Sequence, residues 1–516
     1  MDTAKTMDTS DVASGSIYLT VQNVFTNLIG IFGLTYLARA ITQEQMGILT
    51  ELTLVSSFIQ TISDFGLATS LPKFVSELKG RGEDSSAHIL AAIIFKVPAT
   101  LLPCLFLFVF SADTSSILFG AVDKFDLVRL IAFDSFILAS APIFNGVLLG
   151  AGRIKRIAAS GVFSIVVRWL VIVFLLVSGF GFYGTVIGWI VGDFTLLFLY
   201  AVASVKLVKR GETLFRRSVS LIPNILKFSW PLFVAVIVSF IYASYDRVII
   251  MAFLPLTDLG IYDVTYKAFT VLATLATALG SALYPYYGMA YGKKDHQAII
   301  SGIKRATRYT AIVVFPLALG LLSMANPVIT IFAGQQYQSG WSILAILAAF
   351  GLVYGLLPAF TGLLVIYEKT KTVLLLSLVP VVSSLGLLPL LWYIGLNGLA
   401  AMRGVSLLVT LLLTMFFLSK IVKFEVDKQA LFKALISSTI MAIVVLAAQQ
   451  IYYTMILFPV YVLLGATIYL GCIRFLKVLG ESDIKLLESI MGKRITAFLV
   501  RVVGYSKQEK VTLYRE

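Results

Sequence analysis

The chain has 516 residues, of which 59% are hydrophobic and only 13% charged. Soluble domains run to roughly 45–50% apolar and about 25% charged, so no water-soluble fold has interior enough for this sequence, and lipid must be its solvent over most of its length. The formal net charge is +14, but the basic residues fall in short stretches between apolar runs, a pattern that argues against a nucleic-acid partner.

Apolar runs of spanning length predict about fourteen helices, at 14–38, 46–70, 87–111, 126–150, 156–178, 182–205, 224–250, 258–286, 306–332, 341–367, 371–392, 396–419, 430–453 and 456–478. Each is close to the ~20 residues that cross ~30 Å of hydrocarbon, and helices satisfy their own backbone groups there. The first fourteen residues carry one lysine against three aspartates, so no cleavable signal peptide is expected. Cys104 and Cys472 lie inside apolar runs, and His88 and His296 show no ligand spacing. No phosphate loop, zinc pattern or nucleophile elbow is found, so the sequence predicts no enzyme, cofactor or metal.

Orientation follows from the basic residues. With the N-terminus inside, the cytoplasmic connections hold Lys73, Lys79, Arg81, Arg153, Lys155, Arg156, the six from Lys206 to Lys227, Lys293, Lys294, Lys304, Arg305, Arg308, Lys369, Lys371, Lys420, Lys423, Lys428 and Lys433. The tails add Lys5 and nine more after Gly471, and the outer connections hold only Arg39, Lys124 and Arg129. The positive-inside rule therefore predicts a multi-pass protein of the cytoplasmic membrane with both termini cytoplasmic. The longest outer connection, Ser111–Phe125, is too short for the catalytic region of a polymerase or glycosyltransferase.

The chain also repeats itself. A shift of 213 residues lays Met46-Gly47-Ile48 on Leu259-Gly260-Ile261, Pro72 on Pro285 and Pro103 on Pro316. A few inserted residues then align Pro142-Ile143-Phe144-Asn145-Gly146 with Pro358-Ala359-Phe360-Thr361-Gly362, and Gly181-Phe182-Tyr183-Gly184 with Gly395-Leu396-Asn397-Gly398. Six spans separate the copies, an even number, so the copies run in the same sense and a site between them is expected near the midplane. The expected divisions are 1–212, 213–424 and an appended pair of helices with a basic tail, 425–516.

Polar stripes pick out candidate site residues. Asp263, Lys267, Thr270, Thr274, Thr277 and Ser281 recur three or four apart on the eighth span, and Thr50, Ser57, Thr61 and Asp64 occupy the equivalent face of the second. The first span adds Thr20, Asn23 and Asn27. Such stripes line a water-filled cavity or bond helix to helix, and both readings stand. Ionisable residues inside the spans are Lys96, Asp134, Arg168, Asp193, Asp246, Arg247, Asp263, Lys267 and Arg403. Folding consecutive spans back on each other sets Arg247 near Asp263, Asp246 near the depth of Lys267, and Arg168 near Asp193. Lys96 lies close enough to the inner end of its span to reach the interface.

With Leu37-Ala38-Arg39, Met46-Gly47, Ser63-Asp64-Phe65-Gly66-Leu67 and Asp246-Arg247-Val248-Ile249-Ile250, the chain resembles the polysaccharide-transporter family of oligosaccharide flippases. That family belongs to the multidrug/oligosaccharidyl-lipid/polysaccharide exporter superfamily. The resemblance implies an all-α membrane fold of two parallel six-helix pseudo-repeats around a V-shaped cavity, with two extra C-terminal helices that in some relatives form a lipid-tail groove. It implies a monomer that flips a polyprenyl-diphosphate-linked oligosaccharide to the outer leaflet by alternating access, with that lipid and the bilayer as its partners. Lys96, Arg168, Lys267, Arg247 and Arg403 are the expected contacts of the anionic diphosphate, and Asn23, Asn27, Ser57, Thr61, Asp64, Asp263, Thr270, Thr274 and Thr277 the polar lining. The alternative is a cation-coupled small-molecule antiporter of the drug-extrusion branch, which would need acidic groups for cationic drugs.

Overall fold

The structure, a computed structural model, describes residues 9–209, 211–423 and 425–478; Lys5, Arg210 and most of the basic C-terminal tail lie outside them. The chain packs as two compact units, Met1–Asp263 and Val264–Glu516. The first holds α1 (Thr9–Ala40), α2 (Gln43–Asp64), α3 (Leu67–Gly80), α4 (Ser86–Val109), α5 (Ser111–Phe119), α6 (Phe125–Gly150), α7 (Ile154–Val177), α8 (Tyr183–Val205), α9 (Leu214–Phe253) and the start of α10 (Leu256–Ser281). The second holds the rest of α10, α11 (Tyr284–Gly292), α12 (His296–Ser323), α13 (Ala325–Ala333), α14 (Trp341–Ala349), α15 (Gly351–Ile366), α16 (Thr370–Gly386), α17 (Pro389–Ser419), α18 (Lys428–Ile451) and α19 (Phe458–Phe475). No strand occurs among the described residues. Among the described residues thirteen spans are long and apolar enough to cross a membrane, and α16 is a shorter apolar helix, which agrees with the expected count of about fourteen.

Several boundaries differ from the hydropathy reading, for one reason. Hydropathy marks the part of a helix that sits in hydrocarbon, whereas the backbone stays helical beyond it. Thus α9 begins at Leu214 rather than 224, and α12 at His296 rather than 306. The basic residues Lys73, Lys79, Arg216, Arg217, Lys227, Lys304, Arg305 and Arg308 accordingly sit on helices, not in loops. The predicted helix at 46–70 is two. The first, α2, opens on a capping box, with Thr42 Oγ1 accepting from Gln45 N (3.2 Å) and Thr42 N donating to Gln45 Oε1 (3.0 Å). It then breaks where Phe65 and Gly66 both take positive φ. The predicted helix at 306–332 stops at Ser323, and α13 follows as a separate short helix.

Some backbone features recur near positions that the sequence repeat aligns. Positive-φ residues occur at Gly82 and Lys294, at Gly152 and Glu368, and at Gly181 and Gly395, the last at a kink inside α17, each pair near matching positions of the sequence repeat. Each copy also follows its long Pro-containing helix with a nine-residue helix and a 3₁₀ turn: α5 with Val122–Lys124, and α13 with Gln335–Gly340. At the start of α2 and α10 the equivalent glycines meet reciprocally. A methyl on Gly47 would lie 2.0 Å from the Leu256 carbonyl oxygen, and one on Gly260 2.1 Å from that of Gln43. Gln43 and Leu256, like Gly47 and Gly260, differ by 213 positions, so each glycine meets the carbonyl that the sequence repeat pairs with the other's.

Small residues bring helices close. Gly184, Gly188 and Gly192 repeat every four residues on α8, and a Cβ at either of the last two would strike Ile172 or Arg168 of α7. In the second unit the appended helix α18 packs on α12 and α19, and polar contacts tie their ends together. Lys304 reaches Glu425 (2.6 Å), Lys423 reaches the same carboxylate (3.0 Å), and Arg308 pairs with Asp427 (3.4 Å), which caps α18 through Ala430 N. Hydrogen bonds from Lys304 and Lys423 hold the Glu425 carboxyl down at about 2.

Candidate functional site

An ionisable side chain in hydrocarbon needs a partner or water, so each candidate is read by what it touches. In the first unit three cations meet aspartates. Lys96 on α4 is 1% exposed and lies 3.8 Å from Asp64 Oδ1, which also accepts from Ala68 N (3.2 Å) at the start of α3. The break at Phe65–Gly66 turns the end of α2 so that Asp64 points inward, and this pairing replaces the interfacial position expected for Lys96. Arg168 on α7 pairs with Asp193 on α8, and Arg247 Nε on α9 donates to Asp263 Oδ1 (2.8 Å) on α10. Both of these pairs were expected from the hairpins. Asp246 accepts from the Tyr262 hydroxyl at 2.8 Å.

In the second unit Arg403 on α17 is 3% exposed. Its guanidinium stacks over Tyr266 at 4.5 Å and donates to the hydroxyls of Tyr266 (2.7 Å) and Tyr354 (3.4 Å). Tyr354 in turn packs edge-on against Phe269, 5.0 Å between centroids. The aromatic ring of this cluster escaped sequence reasoning, because Tyr354 lies on a span that carries no stripe.

The polar stripes divide by accessibility. On α10, Lys267 and Thr270 are half-buried, and Thr274 and Thr277 are exposed, so cation and hydroxyls share one open face. On α2, Thr61 is buried and its hydroxyl bonds back to Ser57 O (2.8 Å), Asp64 is buried, and Ser57 is half-buried. Asn23 and Asn27 are exposed on α1. The equivalent faces of the two copies are thus not equivalent: the α2 stripe is largely internal to its unit, whereas the α10 stripe is open. Glu51, not among the expected site residues, is 2% exposed and borders a cavity of about 210 Å³ with Phe119, Leu254 and Leu256. Its only warning in the sequence was a carboxylate four residues after Gly47.

A second cavity, about 420 Å³, is almost wholly apolar and lies between α12, α18 and α19, lined by Leu317, Met324, Met441, Val445, Val462 and Tyr469 among others. No group of three or more metal-ligating side chains occurs among the described residues.

A family model described as "Polysaccharide biosynthesis protein" matches residues 36–341. The chain is similar to "Probable low-salt glycan biosynthesis flippase Agl15" of Haloferax volcanii, 25% identical over 439 residues that cover 84% of this chain and 89% of that protein. Among solved structures it is similar to "Lipid II flippase MurJ, inward closed conformation", with a TM-score of 0.72 and 15% identity over 92% of this chain and 100% of that one. It is also similar to an inward-facing multidrug resistance MATE family transporter, with a TM-score of 0.57 and 14% identity over 78% and 97%. At these identities the solved structures speak for the fold alone.

Proposed function

The chain belongs to the Polysaccharide biosynthesis protein family, and from that premise we propose that it flips a polyprenyl-diphosphate-linked oligosaccharide from the cytoplasmic to the outer leaflet by alternating access. The observation that carries the reading is the open face of α10, where Lys267 heads a ladder of Thr270, Thr274 and Thr277. A diphosphate carries about two negative charges, and desolvating it unpaired is costly. A lysine supplies a mobile point charge, and hydroxyls supply donors and acceptors for sugar. Lys267 is the principal contact because it lies on this accessible face. Lys96, Arg168, Arg247 and Arg403, held by Asp64, Asp193, Asp263 or tyrosine hydroxyls, are further contacts in the proposal. Asn23, Asn27 and Ser57 line the glycan path, and Thr61, Asp64 and Asp263 support it from within.

The proposed layout is the six-plus-six-plus-two division at 1–212, 213–424 and 425–516, with both termini cytoplasmic. The recurring positive-φ residues and the reciprocal Gly47–Gly260 contact support the repeat, and the loop charges support the orientation. The fold also suits small-molecule antiport, but a cation at the head of the open stripe disfavours a cationic drug. Deleting the gene tests the reading. Lipid-linked glycan should accumulate with its sugar facing the cytoplasm while surface glycan falls, and unchanged surface glycan would overturn it.

A further inference from the structure

The open face of α10 does not end with α10. Lys267, Thr270, Thr274, Thr277 and Ser281 stand alternately three and four residues apart, and Tyr284, Gly288 and Tyr291 carry the same alternation onto α11. The break between the two helices is confined to Ala282 and Leu283. Helical hydrogen bonds run up to it on both sides, from Ala282 N to Ala278 O (3.0 Å) and from Tyr287 N to Leu283 O (3.0 Å). On α11 all three residues of this face are exposed, Tyr284 46% and Tyr291 40%, while the neighbouring Tyr287 and Ala290 pack inward.

Each exposed ring is braced from behind, by Gly362 of α15 or by Tyr367 just beyond it. A Cβ on Gly362 would lie 3.0 Å from Tyr284 Cδ2, and Tyr291 meets Tyr367 edge to face, 4.9 Å between centroids. Between the rings, a Cβ on Gly288 would meet nothing within 4 Å. A notch therefore separates two tyrosines about 10 Å apart along the helix. Packing does not call for this arrangement. In the other copy a shift of 213 residues puts Leu71, Val75 and Leu78 at these positions, and the first two are buried. Contact with hydrocarbon does not call for it either, because the same face carries Lys267 and a row of hydroxyls along α10. Lys293, Lys294 and Arg305 stand exposed at this end of the unit, Arg305 5.8 Å over the Tyr286 ring.

A pyranose ring has an apolar face of C–H groups and an edge of hydroxyls. A braced tyrosine offers the complement, an apolar ring face with a hydroxyl at its tip. We propose that Tyr284 and Tyr291 form a saccharide platform at the Lys293–Lys294 end of the second unit, the two rings stacking on different pyranoses of one lipid-linked glycan and the Gly288 notch leaving room for the chain between them. The identity of the ligand rests on the flippase reading; the affinity of the platform for sugar does not. Lys267 lies seventeen residues from Tyr284 on the same face, roughly 25 Å away along the helix. The platform is thus a separate station, at the end that the loop charges put in the cytoplasm, and it meets the glycan before the diphosphate reaches Lys267. The tyrosines read sugar and Lys267 reads phosphate, so a lipid diphosphate without a glycan engages only the lysine.

Saturation-transfer NMR on the full chain in lipid nanodiscs reads the platform without requiring transport. The probe is the water-soluble oligosaccharide released by mild acid from the cell's own lipid-linked glycan. The wild type should transfer magnetisation to the sugar ring protons. Tyr284→Ala and Tyr291→Ala should each weaken binding by about tenfold, the loss of one stacked ring, and Tyr284→Phe and Tyr291→Phe should keep most of it. Gly288→Leu puts a side chain into the notch, where its Cβ meets no neighbour, so it should melt no lower than the wild type and yet bind no sugar. That variant keeps the test decisive should an alanine variant fail to fold. The tyrosine variants should bind sugar-free polyprenyl diphosphate as the wild type does, and Lys267→Ala should weaken it. No transfer in the wild type, wild-type sugar binding by Gly288→Leu, or equal weakening of the sugar-free lipid by the alanine variants overturns the platform. Tyrosine-dependent sugar binding by a protein that moves no lipid-linked glycan across vesicle membranes supports the platform and counts against the flippase reading.

Discussion

Replacing Lys96 with methionine removes one member of a buried ion pair and leaves Asp64 behind in an apolar interior. At the observed 3.8 Å, two unit charges in an effective dielectric of about 20 attract by roughly 4 kcal/mol. Breaking a buried pair from one side typically costs about 3–5 kcal/mol, because the remaining charge is uncompensated. Lys96→Met should therefore destabilise strongly, and Asp64→Asn in the same chain should restore most of the loss, since neither charge then remains. Thermal unfolding of the detergent-solubilised single and double variants, followed by size-exclusion chromatography after heating, measures both. Equal instability of Lys96→Met and the double variant would refute the argument that charge compensation is what Lys96 supplies. Surface glycan in cells carrying the double variant adds a second reading: export by a folded double variant makes Lys96 a structural partner, and loss of export makes it a phosphate contact by exchange.

Three further outcomes are expected. Lys267→Ala should fold normally and reduce glycan export by at least about tenfold, the effect of losing about 1.4 kcal/mol of charge-assisted binding, and export at wild-type rate would remove its proposed role. Gly47→Val places a side chain 2.0 Å or closer to the Leu256 carbonyl, which no rotamer avoids, so thermal stability should fall by at least the upper end of the about 1–3 kcal/mol usual for overpacking; an unchanged melting temperature contradicts the contact. Glu425 is held at about 2, below its ordinary 4.5. A depressed carboxyl contributes stability above its unfolded value and loses it as pH falls toward the folded one, so the difference in melting temperature between wild type and Glu425→Gln should stay constant down to about pH 5 and shrink only below about 4.5.

How much of this was legible in the sequence depended on how local the cause was. The spans could be read because a run of apolar residues long enough to cross lipid has few other uses. Arg247 with Asp263 and Arg168 with Asp193 could be read because a hairpin fixes the relative depth of consecutive spans. Lys96 with Asp64 could not, because Asp64 turns inward only through the backbone break at Phe65, a non-glycine residue at positive φ with no sequence signature. Arg403 with Tyr266 and Tyr354 joins three helices far apart in the chain, and nothing periodic in α15 marks Tyr354. The stripe on α2 was legible as a stripe and not as a buried one, since periodicity reports which residues share a face and not what covers it. Gly152 and Glu368, near matching positions of the sequence repeat, both take positive φ although only one is glycine.

The most direct test of the central claim is leaflet-resolved flipping by the purified chain. Vesicles containing the protein and a fluorescent polyprenyl-diphosphate oligosaccharide, treated with a membrane-impermeant quencher, report how much glycan crosses the bilayer. The account predicts protein-dependent crossing of the diphosphate-linked glycan, slowed in Lys267→Ala vesicles, and no comparable transport of a cationic dye. Dye transport without glycan crossing would contradict it and favour the antiporter reading.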